Sequence, residues 1–238
     1  MTVISETPHT DLRIAARTAG IALIVMAVAA FFSYSFIHGS LVVQDDAAAT
    51  YRNIASSGTL FRVEILGWIM ILASDIAVAW ALYHFLKPVH ASLSLLGAWL
   101  RLIYACMLGT AILNLVYASS LTDRRNDALL LFPPNQLEAH TMLYLDAFET
   151  FWFVGLILFG MHLAVVGWLV LRARAIPKIL GILLLAAAAG YAIVHLGYVL
   201  LPGYRIVTVI EYVFMAPMFA GELGFGLWLL FRGGKSSS

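Results

Sequence analysis

Apolar positions in this chain come in long unbroken runs, not in the short alternating or one-sided patterns of a water-soluble fold. Six runs stand out, at about 14–38, 62–86, 91–117, 138–171, 178–201 and 205–231. Each exceeds the roughly 20 residues needed to cross about 30 Å of hydrocarbon. Hydrocarbon cannot satisfy open backbone groups, and these runs lack strand alternation, so all six are predicted to be helices. The links Lys87–His90, Arg172–Lys178 and Leu201–Arg205 are short, which makes the helices they join antiparallel neighbours. Two links are longer. Residues 39–61 are polar, and Asp45 to Ser57 predicts a short surface helix. Residues 118–137 hold the apolar stretch Ala128–Phe132, expected at the membrane interface, followed by Pro133 and Pro134. Asn135 and Glu138 have capping-box spacing, so the next helix is expected to begin near Gln136.

The expected architecture is therefore an all-α integral membrane protein. A six-transmembrane-helix bundle would occupy residues 14–232, with a polar cytoplasmic tail at 1–13 and a flexible tail at 233–238. Composition agrees: 62% of the 238 residues are hydrophobic and 11% charged, about half the charge of a soluble domain. Mean hydropathy is +0.92. The apolar stretch from Thr18 to Ile37 is too long for the core of a signal peptide, so it reads as a retained span. A net charge of +1 gives no reason to expect a nucleic-acid partner. The single cysteine, Cys106, cannot form an internal disulfide and is expected to be a small packing residue.

Basic residues set the expected orientation. Eight lie on one side: Arg13, Arg17, Lys87, Arg172, Arg174, Lys178, Arg232 and Lys235. Five lie on the other: Arg52, Arg62, Arg124, Arg125 and Arg205, interspersed with Asp45, Asp46, Asp123, Asp127 and Glu138. That asymmetry argues for both termini in the cytoplasm.

Ionisable residues inside the spans are the candidates for chemistry, because each costs about 2.5–3.5 kcal/mol at a helix centre. Depth along a helix sorts them. Asp75 lies 12 residues before Lys87, and Arg101 lies 11 after His90. Both are therefore about 16–18 Å from the same end of a tight hairpin, at 1.5 Å per residue. They are the expected ion pair, serving for binding, gating or as a structural staple. His162 and Glu222 each lie 10 residues before the basic end of their helix, Arg172 and Arg232. They fall in the same layer and are candidate proton-handling residues. A second layer, nearer the outside, holds Glu64, Asp146, Glu149, His195 and Glu211, with Tyr198 close by. Glu64 to Asp75 and Glu211 to Glu222 are both 11 residues, which puts each pair on one helix face. The outer layer reads either as a solvated rim or as a site in which His195 joins the carboxylates. No HExxH motif, and no ExxH within the spans, supports a metal there, and no metal or cofactor is predicted. The glycines of helices four and six (Gly155, Gly160, Gly167; Gly221, Gly224, Gly226) read as helix-packing positions, and no phosphate loop or nucleophile elbow is present.

The segments LYHFLKPVHASLSLLGAWLRL, LILFGMHLAVVGWLVLRARAIPKILGILLLAAAAGY and PMFAGELGFGLWLLFRGG carry a resemblance. They are similar to the bacterial multi-pass membrane proteins grouped as domain of unknown function 4386, over roughly residues 13–233. The distinctive pieces are Gly160-Met-His162, the Ile176–Gly181 turn and Gly221-Glu222. Arg101, His162 and Glu222 match the family pattern; Glu64, Asp146, Glu149 and His195 do not belong to it. The resemblance implies a six- or seven-span protein of the bacterial inner membrane, and no particular chemistry.

Three functions stay open at this point. One is proton-linked transport of a small solute, with Glu222 exchanging protons, His162 relaying them and Asp75–Arg101 as the gate. A carboxylate withdrawn from water holds its proton more tightly, which suits that role. The second is an intramembrane enzyme or binding protein for a lipid-like ligand, with Glu222 and His162 as acid and base. The third is a non-catalytic sensor or assembly subunit whose polar layer fixes helix register. The lipid bilayer is a partner in all three.

Overall fold

A computed structural model describes residues 8–123 and 127–234. Arg124, Arg125 and Lys235, which enter the count of basic residues, lie outside them, as do residues 1–7 and the rest of the tail. The chain is all-helical, with no strand among the described residues. The elements are α1 (Pro8–Ala30), a π-helical segment (Phe31–His38), α2 (Gly39–Leu41), α3 (Ala47–Ser56), α4 (Gly58–Leu86), α5 (Ala91–Leu121), α6 (Pro134–Arg172), α7 (Lys178–Leu200) and α8 (Arg205–Phe231). A 3-10 turn, Asp127–Leu131, precedes α6. Six stretches are long and apolar enough to cross a membrane: Asp11–Leu41, Gly58–Leu86, Ala91–Leu121, Pro134–Arg172, Lys178–Leu200 and Arg205–Phe231. The protein is a multi-pass membrane protein.

Local chemistry explains the boundaries. The surface helix α3 starts where Asp46 caps it, the carboxylate accepting from the Ala49 N–H at 2.8 Å. Asp45, just before, takes a positive φ of 61°. Helix α6 starts at Pro134, two residues earlier than expected, so Asn135 sits inside the first turn instead of capping it. Proline suits that first position because the N–H it lacks would have no partner there. In the stretch expected at the membrane interface, Leu130 and Leu131 are 82% and 85% exposed. Cys106 departs from expectation: it lies on an exposed face of α5 and does not pack in the core.

The described residues form two compact units. Unit 1 takes the chain up to Val25, Ser74–Ala105 and everything from Phe153. Its helices approach closely through glycine. A Cβ on Gly160 would lie 2.9 Å from the Ala188 carbonyl, and one on Gly221 3.0 Å from the Leu183 carbonyl. On α1, a Cβ at Gly20 would meet the Leu230 N at 2.7 Å. Arg13 donates to the Gly233 carbonyl, so the start of α1 is held against the end of α8. Without a hydrophobic drive between helices in lipid, such close backbone contact supplies the association.

Unit 2 takes Met26–Ala73 and Cys106–Trp152. Its core is aromatic: Trp68 meets Phe148 at 5.0 Å and Trp152 at 4.9 Å, both edge-on. Tyr34 meets Trp152 at 4.9 Å. In the π-helical segment, Ser33 fits where Gly67 leaves room; a Cβ there would be 1.9 Å from its hydroxyl.

Gly160→Ala should lower the thermal midpoint in detergent by the equivalent of about 1–3 kcal/mol, the usual cost of overpacking. Gly109→Ala, whose added methyl would meet only Leu72 Cδ2 at 3.8 Å, should be neutral or stabilising. Equal effects from the two would show that α6 and α7 do not depend on backbone approach.

Candidate functional site

The least exposed ionisable residues of unit 1 lie on α4, α5 and α6. Asp75 and Arg101 are 0% exposed and His162 1%. Arg101 donates to Asp75 Oδ1 twice, from Nε at 3.0 Å and from Nη2 at 2.8 Å. Its Nη1 donates to His162 Nε2 at 3.1 Å. The guanidinium carbon sits 5.1 Å from the centre of the Phe159 ring, close enough for a cation–π contact. His162 in turn donates from Nδ1 to the Gly97 carbonyl at 2.8 Å. That network fixes the imidazole as the neutral tautomer protonated on Nδ1, since Nε2 must accept from a guanidinium. Gly97 lies one turn before Arg101 on α5, so His162 grips both the side chain and the backbone beneath it. Asp75 Oδ2 is buried with no hydrogen-bond partner among the described residues.

Glu222, on α8, accepts from the Tyr191 hydroxyl at 2.6 Å. It lines a small cavity shared with Arg101, His162, Leu82, Leu184 and Phe225. The free space there is about that of one water molecule. Thus all four residues of the predicted middle layer fall within unit 1. Three are bonded in series, and Glu222 shares the cavity wall with two of them.

From Glu222 a ladder of polar groups follows α7 and α8. Tyr191, His195 and Tyr198 are spaced four and three apart on α7, one above another. The Tyr191 and His195 rings stack at 5.6 Å. His195 donates from Nδ1 to the Tyr191 carbonyl at 2.9 Å. Tyr198 donates to Glu211. The 11-residue spacing of Glu211 and Glu222 therefore matches two Tyr–Glu rungs, with Phe153 stacked on Tyr198 at 5.2 Å.

The remaining outer-layer residues belong to unit 2. Glu64 is 0% exposed and lies 2.7 Å from His38 Nδ1. Glu149 is partly exposed and accepts from the Tyr34 hydroxyl at 3.2 Å. Asp146 is exposed. The outer layer thus separates into Glu64 with Glu149, and His195 with Glu211. No three His, Cys, Asp or Glu among the described residues converge in metal-binding geometry. Sequence reasoning missed Tyr191, Tyr34 and His38. Tyr191 could have been found from its spacing to His195 and Tyr198. His38 stood at the predicted end of a span, where a histidine passes for an interfacial residue.

Arg101→Ala should lower thermal stability by about 3–5 kcal/mol, because it strands Asp75 as an unpaired buried charge. The double change Asp75→Ala, Arg101→Ala should be less damaging than the single. Thermal unfolding in matched detergent decides; a double variant worse than the single would show that the pair does not act as one unit.

An uncharacterised protein of the archaeon Archaeoglobus fulgidus is 32% identical over 173 residues, which cover 73% of this chain and 85% of that protein. No solved structure matches this chain. A family model described as a domain of unknown function, DUF4386, matches residues 18–233. Arg101, His162 and Glu222 all lie inside that match, and the chain belongs to this family.

Proposed function

We propose that the protein moves a small solute across a prokaryotic cytoplasmic membrane, with proton binding at Glu222 linked to the movement. The observation that carries this reading is the position of Glu222. It stands on the wall of a cavity whose other polar groups are Arg101 and His162, and it begins a ladder of titratable groups leading through Tyr191, His195 and Tyr198 to Glu211. Such a column in otherwise apolar helices is costly, and intramembrane ionisable groups of this kind mark ion or proton pathways. In this reading Asp75 and His162 hold Arg101 in one position. Proton occupancy at Glu222 changes the charge that Arg101 faces across the cavity, and so biases the bonds that hold it. With both ring nitrogens engaged, His162 serves as the clamp on Arg101, and Glu222 alone exchanges the proton. A ligand-binding role for a lipid-like molecule ranks second: the cavity walls are largely leucine and phenylalanine, but the space is too small for an acyl chain.

The test uses proteoliposomes with an entrapped pH indicator, challenged in turn with amino acids, carboxylic acids, sugars and amphiphilic cations. One class should drive proton movement in the native protein. Glu222→Gln should abolish it at unchanged melting temperature, and Glu222→Asp should retain part of it. Undiminished proton movement in Glu222→Gln would remove the mechanism.

A further inference from the structure

Unit 2 holds a second set of titratable groups that the reading above does not use. His38 ends the π-helical segment Phe31–His38. Bonding from residue i to i+5 widens the turn, and such segments recur at functional sites. Widening brings residues four apart nearly above one another. Tyr34 and His38 accordingly stack, with ring centres 5.4 Å apart and planes at 21°. The stack sets the imidazole between two carboxylates from different helices. Nδ1 lies 2.7 Å from Glu64 Oε1 on α4, and Nε2 lies 4.0 Å from Glu149 Oε1 on α6.

The two carboxylates differ in access. The Glu64 side chain is 0% exposed and that of Glu149 34%. Glu64 Oε2 is buried with no hydrogen-bond partner among the described residues. A buried carboxylate with an oxygen left unbonded is expensive to keep without a purpose, and protonation is the change that removes its charge. The other titratable groups facing this set are Tyr34, which donates to Glu149, Asp146 one turn before Glu149, and Asp45 beside Asp146. All lie toward the partly exposed end of the line.

We propose that Glu149, His38 and Glu64 form a proton relay that loads a fully buried carboxylate from the surface of unit 2. The step balances simply. The Glu149 carboxyl gives its proton to His38 Nε2 as the Nδ1 proton passes to Glu64 Oε1. The imidazole stays neutral with its proton moved to Nε2, and the reverse transfer empties Glu64. The Nε2–Oε1 gap of 4.0 Å must close by about 1 Å for direct transfer, to reach the usual heavy-atom distance. Movement of the π-helical turn that carries His38 supplies that adjustment. The relay stands whether or not Glu222 couples protons to transport.

Infrared spectroscopy of the full chain in lipid nanodiscs after a rapid pH drop tests it. Glu64 protonation should produce a carboxyl band that Glu64→Gln removes. In Glu149→Gln and in His38→Gln the band should rise at least about tenfold more slowly, a modest share of what positioned proton transfer contributes. Both variants should keep the native melting temperature. Tyr34→Phe, which keeps the stacked ring and removes only the hydroxyl, serves as the milder variant should His38→Gln fold poorly. It should leave the band in place and alter its rate through Glu149. A Glu64 band absent at every pH overturns the relay. So does a rate unchanged by Glu149→Gln.

Discussion

The ion pair between Asp75 and Arg101 is the constraint on which the rest of unit 1 depends. A guanidinium with no exposure to solvent is tolerable only if its donors are engaged and its charge is answered. Asp75 answers the charge through one oxygen, His162 takes a further donor, and Phe159 covers one face. Asp75 comes from α4, and His162 and Phe159 lie one turn apart on α6. The pair therefore ties α4, α5 and α6 together at one height, and it fixes which face each helix turns inward.

Close backbone approach makes the arrangement possible. Guanidinium, imidazole and carboxylate side chains reach one another over about 3 Å only if their helices lie near together. Gly160 lies two residues before His162, and Gly221 immediately precedes Glu222. A Cβ at either would press on a backbone carbonyl of α7. These two glycines thus bring α6 and α8 against α7, where Glu222 meets Tyr191, while on α5 it is Gly97 that faces α6, where an added Cβ would lie 3.4 Å from Val165 Cγ1.

Much of this is legible in the amino-acid sequence alone. Span limits follow from apolar length, and helix ends differ from expectation mainly where caps decide them, as at Pro134. The depth of Asp75 and Arg101 follows from counting along a hairpin with a four-residue link, because a tight turn leaves little freedom in register. Partners across helices are harder. Nothing local couples Tyr191 to Glu222; the contact depends on how α7 and α8 rotate against each other. His38 is harder still. Its position between Glu64 and Glu149 depends on a π-helical turn, and counting at 3.6 residues per turn misplaces every side chain in that segment. Cys106 shows the converse: an apolar run says a residue is in the membrane, not which way it faces.

His162 and His38, two of the three buried histidines among the described residues, show how the same side chain takes different duties from its neighbours. His162 has a cation on one nitrogen and a carbonyl on the other. A guanidinium does not accept a proton and a carbonyl oxygen does not release one, so neither contact offers a route for transfer. His162 is held in a single tautomer, and what it can do is orient Arg101. His38 has a carboxylate toward each nitrogen. Either carboxylate can give or take a proton, so both tautomers of His38 have a suitable partner on both sides. Burial does not separate the two histidines, since both are nearly inaccessible. The chemistry of the groups at the two ring nitrogens does. Of these two imidazoles, His38 therefore has the neighbours that transfer through a ring requires, and His162 has the neighbours that hold a ring still.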